Sequence, residues 1–242
     1  SPLHLDDLLP DAGGRLSGTL QLRGSTQAPD ISADLQGSDL RWGDYQAQTL
    51  SVAGQLPWQR GQGDIAVQAS GLQAGVALDR LDLRGSGNLR QLALTGSARN
   101  EMAQLELAGD LGQTASGWAG GLRSLRIDPA KGADWVLRGP TRFSLAGSRL
   151  QLGDTCLGAE TGGALCARAD WPARGLSLQG DALPLALVQP WLPLNEGRRT
   201  HLRGELTLDG TVRPAGHGFQ GQIRVVSPAG GGRLGDNARG EL

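Results

Sequence analysis

The feature that most constrains the fold of this sequence is an alternation of apolar and polar residues that recurs along the whole chain. A period of two places every second side chain on the same side of an extended strand, so each run predicts a strand with one apolar and one polar side. Glycines separate the runs and supply turns, and these turns divide the chain into roughly 16 to 20 strands. The apolar positions that we assign to one face are Leu20, Leu22, Ile31, Leu35, Leu50, Val52, Ile65, Val67, Val76, Leu78, Leu81, Leu83, Leu92, Leu94, Leu105, Leu107, Leu125, Ile127, Phe143, Leu145, Leu150, Leu152, Leu176, Leu178, Leu206, Leu208, Ile223 and Val225.

Composition argues against this interpretation, because 41 leucines stand against 8 valines and 4 isoleucines. Leucine favours helices by propensity, whereas strands prefer β-branched residues. No stretch keeps helical spacing, however, apart from two proline-bounded apolar pieces. We therefore predict an all-β, mostly antiparallel fold, with short helical pieces near residues 3–9 and 184–192.

Two internal repeats indicate how the chain is organised. The segment that begins at Leu40 is matched 31 to 32 residues later by the one that begins at Leu72, and residues 2–24 recur at 184–210. Short self-similar strands without helical crossovers fit a meander, a sandwich, a barrel or an open repeat array. A sheet of so many strands twists and curls, and a curled sheet with one apolar side encloses a groove.

The two cysteines, Cys156 and Cys166, are separated by nine residues that include the turn-forming pair Gly162-Gly163. Two strands flanking that turn would bring the sulfur atoms within disulfide distance, which would imply an oxidising compartment. The alternative is a pair of buried free thiols. We do not expect a metal site, because two cysteines without a nearby histidine cannot complete a tetrahedral shell.

Charge and motifs limit the function. The formal net charge of −1 gives no basic field for nucleic acid or anionic headgroups. No catalytic or nucleotide-binding motif occurs, so we expect a non-enzymatic protein without a cofactor. No run of 18 apolar residues and no signal peptide is visible, and both ends look cut, so we expect a fragment of a longer protein.

Four groups of landmarks make the chain recognisable. They follow the order Trp-x-Gly-x-Leu, Trp-x-Leu-x-x-Pro, Cys-Leu…Leu-Cys…Trp and Pro-Leu…Leu-Pro…Gly-x-Leu within residues 117–125, 135–140, 150–171 and 183–206. As a set they resemble the TamB-like members of the AsmA-like family, most clearly over residues 80–226.

The resemblance implies a bridge that crosses the periplasm of Gram-negative bacteria. Its relatives are anchored in the inner membrane by a single span, which would lie outside this chain, and they meet a TamA-like barrel in the outer membrane. Their fold is a U-shaped sheet with an apolar interior, the β-taco. We therefore expect residues 1–182 to form one β-taco segment with the disulfide near its end, and residues 183–242 to begin the next repeat, continuous with the first.

The resemblance leaves two roles open. The first is conduction of phospholipid acyl chains along the apolar face, since each CH₂ exposed to water costs about 0.8 kcal/mol. The second is a scaffold or chaperone that works with TamA in assembling outer-membrane proteins such as autotransporters, by pairing with a nascent strand. A passive surface stalk and a closed sandwich with a dry core are further alternatives.

Overall fold

The structure of the protein, a computed structural model, describes residues 3–4, 12–25, 28–192, 200–216 and 218–234. Sixteen strands run through these residues and join in one sheet. The strands are β1 (Leu3–His4), β2 (Ala12–Ser25), β3 (Ala28–Trp42), β4 (Tyr45–Leu56), β5 (Gly63–Gln73), β6 (Ala77–Asn88), β7 (Gln91–Arg99), β8 (Ala103–Gln113), β9 (Trp118–Pro129), β10 (Trp135–Leu137), β11 (Thr141–Ala146), β12 (Arg149–Ala159), β13 (Ala164–Trp171), β14 (Gly175–Pro184), β15 (Thr200–Ala215) and β16 (Gly218–Leu234).

The sheet is an antiparallel meander, because successive strands pair in chain order. The one departure is that β10 and β11 both pair with β12, as two short halves of one strand. The predicted all-β, mostly antiparallel fold is confirmed. The alternation of the sequence therefore prevails over the helical propensity of leucine.

The chain divides into two compact units within β9. Unit 1 contains Ser1–Leu125 and unit 2 contains Arg126–Leu242. The repeat boundary predicted between residues 182 and 183 stays a prediction. Near that point β14 ends at Pro184 and the pairing of β14 with β15 shifts register.

The two predicted helical pieces differ in outcome. Near residues 184–192, a 3₁₀ helix spans Leu185–Trp191, directly after Pro184. Near residues 3–9, the prediction is wrong for Leu3–His4, which form strand β1 and pair with β2. The rest of that piece lies outside the described residues.

Candidate functional site

The register of unit 1 defines the two sides of its sheet, because directly opposed residues of antiparallel strands project to the same side. Three rows of paired residues cross from β2 to β8 and contain only apolar residues and glycine. The first row is Gly18, Leu35, Val52, Val67, Leu83, Gly96 and Leu107. The second is Leu20, Ala33, Gly54, Ile65, Gly85, Leu94 and Gly109. The third is Leu16, Gly37, Leu50, Ala69, Leu81, Ala98 and Leu105. We call this side the apolar face of unit 1.

The opposite side of unit 1 is polar. A typical row, which lies between the first and third apolar rows, is Ser17, Gln36, Ser51, Gln68, Asp82, Ser97 and Glu106. We call this side the polar face. An alternation kept in register over seven strands thus separates the two kinds of side chain completely in these rows.

Glycines on the apolar face make room for leucines of the neighbouring strands. A Cβ atom added at Gly96 would lie 2.6 Å from Leu83 Cδ2 and 3.5 Å from Leu107 Cδ1. Because no side chain stands at Gly96, the leucines of β6 and β8 can lie over its backbone. The apolar face is therefore nearly even at this position, because the leucine side chains lie flat over the glycine.

Two leucines reach this kind of surface although they break the period of two. Asp39 has a φ of 52°, and the Leu40 side chain that follows it lies over Gly37, where an added Cβ would be 2.6 Å from Leu40 Cδ1. Ala182, with a φ of 45°, turns Leu183 over Gly180 in the same way. A residue with a positive φ interrupts the alternation of sides along the strand. The leucine that follows it therefore projects to the apolar side.

Leu72 follows the positive-φ Gly71 just as Leu40 follows Asp39, and it pairs with Leu78. A positive φ directly before the leucine is thus common to both copies of the sequence repeat that begins at Leu40 and Leu72.

The structure places most predicted face residues of unit 1 in the apolar rows. Leu22 and Ile31 pair with each other, and Ile31 pairs further with Leu56. Leu125 lies on β9 and is half-buried. Val76 is the exception: it lies in the β5–β6 turn next to Gly75, whose φ is 74°, so the strand predicted there is wrong.

Burial separates one region of this face from the rest. Leu56, Leu89 and Leu92 form a buried cluster that packs against Trp58 and Trp118, among others. Other predicted positions are mostly half-buried, which leaves part of each side chain available for contact. The predicted positions that are exposed are Leu20, Leu22, Val76, Leu145, Leu150, Leu176, Ile223 and Val225.

Unit 2 carries an apolar face of its own. One row is Leu137, Leu157, Leu165, Gly180, Leu208 and Val225. A second is Thr155, Ala167, Leu178, Gly210 and Ile223. A third is Phe143, Leu152, Ala169, Leu176, Val212 and Gly221. The remaining predicted positions of this unit join the same side through the pairs Leu145–Leu150, Leu183–Leu206 and Ile127–Trp135.

The cysteines lie on the polar side of unit 2. Cys156 and Cys166 are directly opposed in β12 and β13, with a Cα separation of 4.0 Å, and form a disulfide bond. Their row continues with Gln179, Asp209 and Arg224. The predicted disulfide is thus present, and it fastens the strands without occupying the apolar face.

Several features emerge only from the structure. Leu56 and Leu89 are buried, and Leu40 and Leu183 join the apolar side, but the sequence alternation does not single them out. In the described part of the chain no group of three metal-ligating side chains comes together. No described helix is long and apolar enough to cross a membrane.

The fold and the two faces define the class of protein. It is an all-β protein whose antiparallel meander has an apolar and a polar side and contains a disulfide bond, which is typical of oxidising compartments. Residues 2–241 match the family model "TamB, N-terminal domain", and the chain therefore belongs to the TamB family. No solved structure matches the chain. Family membership assigns it to the bridge-like envelope proteins of the periplasm that act in outer-membrane biogenesis together with TamA.

Proposed function

We propose that the chain is a non-enzymatic segment of a periplasmic bridge whose apolar faces carry phospholipid acyl chains between the inner and outer membranes. The observation that carries this proposal is the set of three unit 1 rows in which every residue from β2 to β8 is apolar or glycine. Most of these side chains are only half-buried, so they keep contact area for a ligand.

The physical argument concerns the free energy of an acyl chain in water. Each methylene transferred onto an apolar surface gains about 0.8 kcal/mol, so two long tails do not cross an aqueous space unaided at a useful rate. Movement also requires similar affinity at successive positions, because a deep well would hold the lipid. Rows of leucine, isoleucine, valine, alanine and glycine that continue from strand to strand provide that uniformity.

Photo-crosslinking in cells tests the path directly. A photoreactive amino acid at Leu94 or Leu107 should form phospholipid adducts, detected by mass spectrometry. The matched controls are Thr95 and Ala108, the next residues on the same strands, which project to the polar face. Equal lipid labelling of both members of each pair would contradict the proposal.

Charge insertion tests whether the path is needed for transport. Leu107→Asp in unit 1 and Leu145→Arg in unit 2 should block phospholipid transfer, because a charged group on the apolar face is costly for a passing tail. Ala108→Asp and Ser144→Arg place the same charges on the other side of the same strands and should transfer lipid normally. Unimpaired transfer in both face variants would exclude these faces as the route.

A second candidate function is assembly of outer-membrane proteins together with TamA. The observation in its favour is the family itself, since the TamB family is associated with TamA and with outer-membrane assembly. An unpaired strand edge can accept another strand through backbone hydrogen bonds.

This second function is tested by a photoreactive residue at Gln222 or Arg224 of β16, which should capture a nascent outer-membrane protein. Proline at Ile223 and, separately, at Arg224 removes one backbone donor from each side of the strand. If a nascent strand pairs with β16, the proline that removes the donor facing that strand should abolish capture. Assembly that tolerates both prolines would exclude edge pairing at β16.

A further inference from the structure

The two hairpin edges of unit 1 are built differently. In an antiparallel meander, alternate turns lie on the same edge of the sheet. One edge carries the β4–β5, β6–β7 and β8–β9 connections, residues 57–62, 89–90 and 114–117. The other carries the β3–β4, β5–β6 and β7–β8 turns, residues 43–44, 74–76 and 100–102. We call the first of these two hairpin edges the sealed edge and the second the tip edge.

Hydrogen bonds join successive connections of the sealed edge to one another. Leu89 N donates to Pro57 O at 3.0 Å, and Gln113 N donates to Leu89 O at 2.9 Å. Trp58 N donates to Asp30 Oδ1 at 2.7 Å. Behind these bonds the cluster of Leu56, Leu89 and Leu92 covers the border of the apolar face. On this side the apolar face is therefore bordered by linked connections and a buried leucine cluster.

The tip edge has the opposite character. Four large apolar side chains stand at its three hairpins: Trp42 is 64 %, Tyr45 58 %, Val76 58 % and Met102 61 % exposed. The backbone hydrogen bonds of the described turns on this edge are local, such as Ala74 N to Val76 O and Asn100 N to Ala103 O. One side-chain bond, from Asn100 Nδ2 to Ala77 O at 3.1 Å, joins two neighbouring hairpins. The edge is therefore apolar but open.

The apolar face continues up to this edge. The Leu40 side chain lies over Gly37 on the apolar face, and Trp42 follows two residues later on the same side of β3. Trp42 pairs with Tyr45 across the hairpin, and their ring centroids are 6.4 Å apart. Tryptophan and tyrosine are the side chains that concentrate where an apolar phase meets water, because their rings are apolar and carry one polar group.

Charges at the tips are balanced. Arg41 and Arg99 stand beside the hairpins that also carry Asp44 and Glu101, and all four are exposed. A zwitterionic headgroup, with one phosphate and one ammonium group, matches such a mixed surface better than a strongly anionic one.

From these observations we propose that phospholipids lie on unit 1 in one orientation, with their zwitterionic headgroups at the Trp42–Tyr45 tip edge and their acyl ends toward the Leu89 sealed edge. The inference rests on the proposed function, because it assigns a direction to the lipid on that same face. Trp42 and Tyr45 then contact the glycerol region, as aromatic residues do at a bilayer surface.

The test uses the purified full-length protein with vesicles containing phosphatidylethanolamine that carries a photoreactive group either on its headgroup or at the end of one acyl chain. Peptide mapping by mass spectrometry then locates the adducts. The headgroup probe should label residues 42–45, 76–77 and 101–103. The acyl probe should label the apolar face and the Trp58–Leu89 side.

The double variant Trp42→Ser/Tyr45→Ser should lose most headgroup labelling and keep acyl labelling. Arg60→Ser, on an exposed position of the sealed edge, should keep both. Headgroup labelling at residues 57–62 or 89–90, or unchanged headgroup labelling in the double variant, would overturn the orientation and leave the lipid path intact. Absence of acyl labelling on the apolar face would instead overturn the proposed function.

Discussion

Units 1 and 2 build apolar faces from the same alternation, but they keep their register differently. In unit 1 the pairings from β2 to β8 hold the three apolar rows without interruption. In unit 2 the register shifts at three places, between Leu152 and Thr155, between Gly180 and Leu183, and between Glu205 and Thr207. The strand facing β12 is also split in two. The same pattern of sequence therefore yields uninterrupted apolar rows in unit 1, where the shift between Gly13 and Arg15 lies outside the rows, and interrupted rows in unit 2.

The first of these register shifts changes the local contacts of β12. The first shift brings the hydroxyl of Thr155 to the apolar side, where its Oγ1 lies 3.1 Å from Thr141 Oγ1 and donates to Gly153 O. The next residue, Cys156, forms the disulfide with β13. A covalent link directly after a register shift fixes the pairing that the shift weakens.

The largest effect that we expect is from Leu92→Ala in unit 1. Leu92 is buried in the cluster with Leu56 and Leu89, so its truncation should destabilise the unit by about 2–4 kcal/mol. Leu178→Ala in unit 2 removes the same atoms from a half-buried position and should cost about half as much. Denaturant unfolding of the two variants measures the difference. Equal losses would mean that the cluster gives unit 1 no packing advantage.

Removal of the disulfide should come next in size and should act on unit 2. The bond joins residues 10 apart in the sequence, and a loop of that length corresponds to about 2–3 kcal/mol by chain entropy. The double variant Cys156→Ser/Cys166→Ser should raise amide exchange in β12 and β13 and leave β3 to β8 unchanged. Exchange that rises equally in both units would show that the bond supports the whole sheet.

Replacement of the two left-handed residues by glycine should give a smaller effect of opposite sign. Ala182→Gly removes a Cβ from a conformation that alanine rarely adopts, and should stabilise unit 2 by about 0.5–1 kcal/mol. Asp39→Gly in unit 1 should change little, because aspartate tolerates that region. Thermal unfolding of the two variants gives the comparison. A destabilised Ala182→Gly would indicate that the alanine methyl packs usefully.

These comparisons also explain what the sequence could predict. The all-β fold follows from the alternation, and the disulfide from two cysteines around a Gly-Gly turn, since both depend on residues close in the chain. Most of the predicted face positions, though not Val76, fall in register on one side of their unit for the same reason. Their contact with lipid remains a prediction that crosslinking will test.

Other features depend on backbone geometry or on distant partners. Leu40 and Leu183 reach the apolar side through the positive φ of the residues before them, which the alternation alone does not indicate. Val76 continues an apolar pattern but lies in a turn, because Gly75 ends the strand pairing. The contrast between exposed Trp42 and half-buried Trp58 depends on which connections meet at each edge, and thus on the register of the complete meander.

The smallest effect concerns the polar face of unit 1 and its dependence on pH. Arg80 Nε donates to Asp82 Oδ2 at 2.7 Å, and this bond, with a further one from Gln68, lowers the pKa of the Asp82 carboxyl. Since the pKa is lower in the folded chain than in the unfolded one, the pair stabilises the fold above about pH 4, where an unfolded aspartate is ionised. That contribution is lost as the pH falls through the lowered pKa. An NMR titration should place the Asp82 midpoint below that of the Arg80→Gln variant, and identical midpoints would show that the guanidinium does not determine it.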